Sequence, residues 1–154
     1  MDTSVPKEGR ILGIDVGNVR TGVAKTDPLR IIVSPHGLVQ EDSVEKTVAA
    51  LRGLAVELEA VAIVAGLPLN QHGQPGPQAE KTLAFVERLR EAVDIPVVTQ
   101  DERYSTASAH RTLSQANVKG RKRKKMVDSL AATVILQAYL DGINAQRRRG
   151  SSTE

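Results

Sequence analysis

Four carboxylates at three separated places stand out from an aliphatic chain: Asp15, the adjacent pair Asp101-Glu102, and Asp128. Asp15 sits in the run RILGIDV, residues 10–16, which is otherwise apolar and β-branched and reads as a buried strand. An ionised carboxylate there is costly unless paired or metal-bound. The alternative is a strand-end aspartate bonded to turn amides around Gly17. Asp101-Glu102 directly follows the apolar run Ile95 to Thr99. Carboxylates at the carboxyl end of such a strand face the crevice where ligands collect in a mixed sheet. Adjacent strand residues point to opposite faces, so one of the two is expected to reach the site of Asp15 and the other to be held by Arg103; a solvated turn is the alternative. Asp128 falls at or near the start of the last helical pattern, where aspartate is also a favoured N-cap. Against a cap, Met126 and Val127 already fit the helix, and small Ala131 and Ala132 let it approach a sheet closely.

Converging acids of this kind suit hard divalent cations, Mg²⁺ or Mn²⁺, which prefer oxygen ligands. Phosphodiester hydrolysis needs an activated water and a stabilised leaving oxygen, and two ions roughly 3.5–4 Å apart serve both. The expected catalytic set is Asp15, Asp101, Glu102 and Asp128, with Asp15, Glu102 and Asp128 as metal ligands. His36, His72 and His110 are isolated, without transition-metal spacing, and the chain has no cysteine. Disulfides, thiolate catalysis and cysteine-based zinc sites are therefore excluded.

The net charge of +3 conceals an asymmetry. Residues 117–154 carry 9 basic and 3 acidic side chains, whereas the preceding residues are net acidic. The stretch KGRKRKK, with Lys119, Arg121, Lys122, Arg123, Lys124 and Lys125, is expected to clamp backbone phosphates beside the metals, although a solvated basic loop has the same composition. Arg20 is placed to hold a phosphate bidentately, with Gly17 and Gly22 allowing close backbone approach. Asn70 and Arg103 are further candidates, Asn70 within a Gly/Pro/Gln-rich loop beside the site. Aromatics are 2% of the chain, which argues against base-stacking platforms and for structured RNA or branched DNA read by shape.

The elements that must position these residues follow from periodicity and breakers. Strands are expected at Arg10 to Val16, Thr21 to Thr26, Ile31 to Val39, Val61 to Ala65 and Ile95 to Thr99. Helices are expected at Ser43 to Glu59, capped by Asp42 or Ser43, and at Ala79 to Val93, Ser105 to Gln115 (Thr106 capping) and Met126 to Ile143. Asn117 to Lys125 reads as a basic linker. Residues 1–143 read as one domain and 144–154 as a polar, disordered tail. The order β-β-β-α-β-α-β-α-α predicts an α/β fold: a five-stranded mixed sheet, three antiparallel then two parallel strands, flanked by helices. No apolar run is long enough to cross a bilayer and Met1 to Arg10 lacks a secretory h-region, so a cytoplasmic protein without membrane contact is expected.

Four blocks, GIDVGNVRTGVAKTDP (Gly13 to Pro28), GLPLNQHGQPG (Gly66 to Gly76), DERYSTASA (Asp101 to Ala109) and DSLAATVILQAYL (Asp128 to Leu140), resemble the YqgF/RuvX family. The resemblance covers nearly the whole chain. It implies a ribonuclease H-like fold, whose element order matches the one above, and a hydrolase acting on nucleic acid: processing of the 5′ end of pre-16S rRNA, Holliday junction resolution, or both. It carries acidic roles onto Asp15, onto Asp101 or Glu102, and onto Asp128, and it implies ribosomal particles as partners. The distantly similar RuvC resolvases place an acid at the end of the fourth strand; here Gly66-Leu67-Pro68 stands there, and the burden shifts to Asp101-Glu102. A resolvase is expected to be a homodimer, because two symmetric strands are cut; an RNA-trimming enzyme works as a monomer. Two rivals remain at this level. One is a non-catalytic RNA-binding ribosome assembly factor. The other is a phosphotransferase, since GIDVGNVRTGVA also looks like the phosphate loop of actin-like ATPases and sugar kinases, which need two such domains.

Overall fold

The computed structural model describes residues 5–103 and 120–152, the side chains of 120–128 and 148–152 excepted. The elements are β1 (Arg10–Val16), β2 (Thr21–Thr26), β3 (Val33–Val39), α1 (Val44–Glu57), β4 (Ala60–Leu67), α2 (Pro77–Ala92), β5 (Val97–Asp101) and α3 (Gly120–Ser152). The expected helix at Ser105 to Gln115 and its Thr106 cap lie outside the described residues.

One sheet of order β3-β2-β1-β4-β5 carries the fold. β2 pairs antiparallel with both β1 and β3, while β4 pairs parallel with β1 and β5. This is the mixed sheet expected from the sequence. Strand alternation then divides the apolar residues between two cores. Leu12, Ile14, Ile63, Ala65 and Val97 face one side, with Val48, Leu51, Phe85, Val86 and Leu89 of α1 and α2. Ile11, Ala24, Ala62, Val64 and Val98 face the other, with Ala132, Ile135, Leu136 and Leu140 of α3.

The helix-to-sheet distance on the α3 side is set by a glycine. A Cβ on Gly13 would stand 2.8 Å from Leu136 Cβ and 3.0 Å from the Ala132 carbonyl oxygen, so β1 is bare where the helix backbone crosses it. Small Ala132, fully buried, completes the close approach.

Several boundaries differ from expectation for local reasons. β3 begins at Val33, not Ile31: the Asp27 carboxylate accepts from the amides of Ile31 (2.7 Å) and Ile32 (2.8 Å), tying them into a turn. Ile31 and Ile32 are consequently 75% and 63% exposed despite their apolar character. Ser43 is the α1 N-cap, its hydroxyl accepting from the Lys46 amide. α2 begins at Pro77, which suits a first helical turn. The largest difference is α3. Residues 120–125, expected as linker, are helical, because lysine and arginine are good helix formers. Residues 144–152, expected as a disordered tail, continue the same helix; Arg147 to Arg149 near its carboxyl end complement the helix dipole there.

Candidate active site

Asp15 pairs with Gly22 at the carboxyl end of β1. Two residues from Gly13 along the strand, it shares the α3 face with Gly13 and Ile11. The Glu102 amide donates to the Leu67 carbonyl (3.0 Å), extending the β4–β5 pairing by one residue beyond β5. Counting in twos from Val98 puts Glu102 on the α3 face as well. The two carboxyl groups meet there and share a hydrogen bond.

Between them runs β4, and its residue at that level is Gly66. A Cβ on Gly66 would stand 2.8 Å from Glu102 Oε1 and would collide with Ile135 Cδ1. The side-chain space of β4 is thus filled by the Glu102 carboxyl and by α3. The missing acid noted at Gly66-Leu67-Pro68 is part of the design, since any side chain there would evict Glu102.

The electrostatics follow. Burial, then the neighbouring Asp15 charge, push the Glu102 carboxyl up to about 7, with the Asp15 hydrogen bond and Asp101 adding to the effect. Two carboxyls in hydrogen-bond contact cannot both be ionised cheaply; in the metal-free protein a proton on Glu102 bridges them.

Asp101 takes no part in that pair. Its Oδ2 accepts from Arg103 Nε (2.8 Å) and Nη2 (2.6 Å), and its Oδ1 accepts from the Arg103 amide (2.9 Å). The Arg103 guanidinium holds the Asp101 carboxyl below the usual carboxylate range. Strand alternation had predicted such a split, with one acid toward Asp15 and the other toward Arg103. Arg103 also lies over Gly73, whose φ of +76° forbids most side chains and whose added Cβ would be 3.1 Å from the guanidinium.

Gly73 belongs to a tight loop organised by Asn70. The Asn70 Oδ1 accepts from the amides of His72 (2.9 Å) and Gln74 (3.0 Å), while Asn70 and Gly73 exchange further backbone bonds across the loop. Asn70, singled out for nucleic acid, has its carboxamide oxygen engaged inside its own loop. Arg20 closes the β1–β2 turn, its carbonyl accepting from the Gly17 amide (2.9 Å). Gly17 is required there, because a Cβ would strike that same carbonyl.

The side chain of Asp128 lies outside the described residues, as do those of Arg121, Lys122, Arg123, Lys124 and Lys125 and the whole of Lys119. The Asp128 backbone is well inside α3, eight residues after Gly120, which excludes an N-cap role. It stands one helical turn before Ala132 and two before Ile135, both buried against the sheet, and so falls on the same stripe of the helix. The next residue, Ser129, is 7% exposed, and its hydroxyl has no hydrogen-bond partner among the described residues.

The donor set fits a hard divalent cation: two convergent carboxyls, a stranded hydroxyl on the covering helix, and only oxygen. Among the described residues no three acidic, histidine or cysteine side chains group together, so a third ligand has to come from elsewhere. Gly66, Ile135 and Ser129 were not anticipated. The glycine was visible only as an absent acid, and Ser129 carries no signal in the sequence.

A ribonuclease H-like sheet bearing an acidic pair at the carboxyl ends of β1 and β5 is the class that fold and site define. Two solved resolvases share the fold: T. thermophilus RuvC in complex with a Holliday junction substrate (TM-score 0.58, 11% identity, 86% of this chain and 95% of that one) and the fowlpox virus resolvase in complex with Holliday junction DNA (TM-score 0.55, 9% identity, 87% and 98%). The chain belongs to the RuvX family, described as Holliday junction resolvase, whose model matches residues 9–142. Relatives named "Putative pre-16S rRNA nuclease" include one from Desulforamulus reducens, 44% identical over 86% of this chain and 96% of its own length. Another, from Syntrophomonas wolfei, is 43% identical over 86% and 94%.

Proposed function

We propose that this protein is a divalent-metal-dependent nuclease that hydrolyses phosphodiester bonds in structured nucleic acid, and that its substrate is the 5′ region of pre-16S rRNA. The observation that carries the chemistry is the hydrogen-bonded Asp15–Glu102 pair over Gly66. A buried acid pair with a raised proton affinity is what remains when the counter-cation of a metal site is replaced by a proton. The substrate assignment rests on the names of the curated relatives; a Holliday junction is the substrate named for the family and for the two structural neighbours.

In this reading Asp15, Glu102 and Asp128 hold Mg²⁺ or Mn²⁺. When bound, the metal supplies Lewis-acid stabilisation of charge on phosphoryl oxygens and lowers the pKa of coordinated water. The chain's own residues do the rest. Gly66 leaves room for the Glu102 carboxyl. Asp101 and Arg103 fix the backbone from which Glu102 projects, and Arg103 ties it to the Asn70 loop. Arg20, together with Lys119 and the basic residues 121–125, contacts backbone phosphates and gives a salt-dependent affinity. The protein acts in the cytoplasm, on ribosomal particles or their precursor RNA. Among the described residues no helix is long and apolar enough to cross a membrane.

The test incubates purified protein with a labelled pre-16S 5′ fragment and a labelled four-way DNA junction, each with Mn²⁺, Mg²⁺ or chelator. Asp15→Asn and Glu102→Gln proteins run in parallel. Metal-dependent cutting that both substitutions abolish supports the proposal, and the preferred substrate decides between RNA and junction. Binding without cutting by the wild type overturns it in favour of a non-catalytic assembly factor.

A further inference from the structure

The turn that follows Asp15 has a second side. Val16, the next residue, faces α1 and α2, and there a cavity of about 470 Å³ opens between the β1–β2 turn and the first turns of both helices. That volume lies in the ordinary range of small-ligand sites, about 300–1,000 Å³. Its wall includes Val16, Asn18, Val44, Gln78, Lys81 and Phe85. Phe85 is the chain's only phenylalanine. Nearby cations are already matched, Arg88 to Glu45 and Lys46 to Asp42, whereas Lys81 makes no ion pair among the described residues. An apolar floor with one aromatic ring, two carboxamides that can donate and accept, and one unmatched cation together suit a single nucleotide: a flat base with a polar edge, and a phosphate.

Position argues for the same occupant. Cavity and carboxyl pair lie on opposite faces of β1 at the same end, separated by the Gly17–Arg20 turn. A nucleic-acid strand bound at Asp15 and Glu102 reaches the cavity by passing over that turn. We propose that the cavity receives one unpaired nucleotide of the strand being cut, its base against Val16 and Phe85, its edge read by Asn18 and Gln78, and its phosphate held by Lys81. This rests on the nuclease reading and deepens it. Unstacking a base is least costly where the nucleotide is already unpaired, so the pocket directs cutting to flexible positions beside structured segments. The scarcity of aromatics rules out a run of stacked bases, but one pocket needs one ring.

The test is an abasic scan. RNA fragments with a single-stranded 5′ extension, each lacking one base, are bound by the wild type, by Ala84→Met and by Lys81→Glu, in chelator and at low salt. Ala84 is exposed on α2 and lines the cavity, so methionine fills the space without entering the core; melting curves verify both folds. The wild type should lose about tenfold in affinity at one position, the size of one base-stacking contact. Both variants should bind intact RNA about tenfold more weakly and lose the response at that position. A flat wild-type scan, unchanged binding by the variants, or no binding of intact RNA by the wild type overturns the proposal. Cutting is scored separately. A responsive scan without metal-dependent cutting removes the nuclease reading and leaves the pocket; cutting with a flat scan does the reverse.

Discussion

Glu102 and Asp15, from strands that do not touch, share a hydrogen bond across the bare backbone of Gly66. Their contact needs three strands in register and a residue on the middle one that has no side chain. It also requires a proton that neither carboxyl would keep alone at neutral pH.

That proton gives a pH dependence to metal-free stability. Folded Glu102 titrates near 7 and its model value is 4.5, so between these the folded state binds more protons than the unfolded one. Stability must therefore fall as pH rises from about 4.5 through about 7. His36 acts oppositely, since burial lowers its pKa and favours the folded state as pH rises through the normal histidine range. The difference between wild type and Glu102→Gln cancels that contribution. Melting temperatures in chelator at pH 5, 6, 7 and 8 should show the wild type losing ground to Glu102→Gln across the window. A constant difference would refute the shared proton.

Substituting Gly66 separates packing from chemistry. Gly66→Ala drives a methyl into Ile135 and the Glu102 carboxyl, and overpacking of this kind costs about 1–3 kcal/mol. Adding Ile135→Val relieves the helix side alone. The double variant should recover stability in denaturant titrations while cleavage stays at least about tenfold below wild type. Recovery of both would mean that Glu102 need not occupy that space.

Asp101 and Asp15 should differ in kind. Asp15→Asn removes a proposed metal ligand and should cost over about a hundredfold in cleavage. Asp101→Asn loosens only the Arg103 clamp and should cost about tenfold, in the range of residues that orient ligands. Raised Mn²⁺ should rescue Asp101→Asn and leave Asp15→Asn inactive. Equal, unrescued losses would place Asp101 among the ligands.

Asn70→Ala removes the acceptor of two loop amides. Each such bond is worth about 1 kcal/mol. Because the loop is local and its amides reach water, the global melting temperature should hardly move. Amide exchange at His72 and Gln74 should quicken, and cleavage should fall through a weaker hold on Arg103. A large drop in melting temperature would instead make the loop part of the folding core.

How much of this was legible depends on the range of the interaction. Period-two alternation is local, and it separated Asp101 from Glu102 correctly. Apolar content alone misplaced Ile31 and Ile32, because one Asp27 carboxylate captures both amides. The run from Lys119 to Lys125 looked like a linker by charge, although lysine and arginine extend helices readily. Gly66 was out of reach for another reason. Its meaning lies in Glu102 and Ile135, brought beside it by strand pairing and helix docking that no window of sequence contains. Asn70, by contrast, sits in NQHG, a turn signature that could have been read as structural from the start.

The close crossing of α3 over Gly13 and Gly66 has a bearing on timing. Until that helix settles, Asp128 has no fixed relation to Asp15 and Glu102, and until β4 lies between β1 and β5 those two have none to each other. These are long-range contacts, the kind that form late. A half-folded chain therefore presents loose acids without a cleavage centre, and the enzyme is armed only by the last steps of its own assembly, which keeps an unfinished protein harmless to the RNA around it.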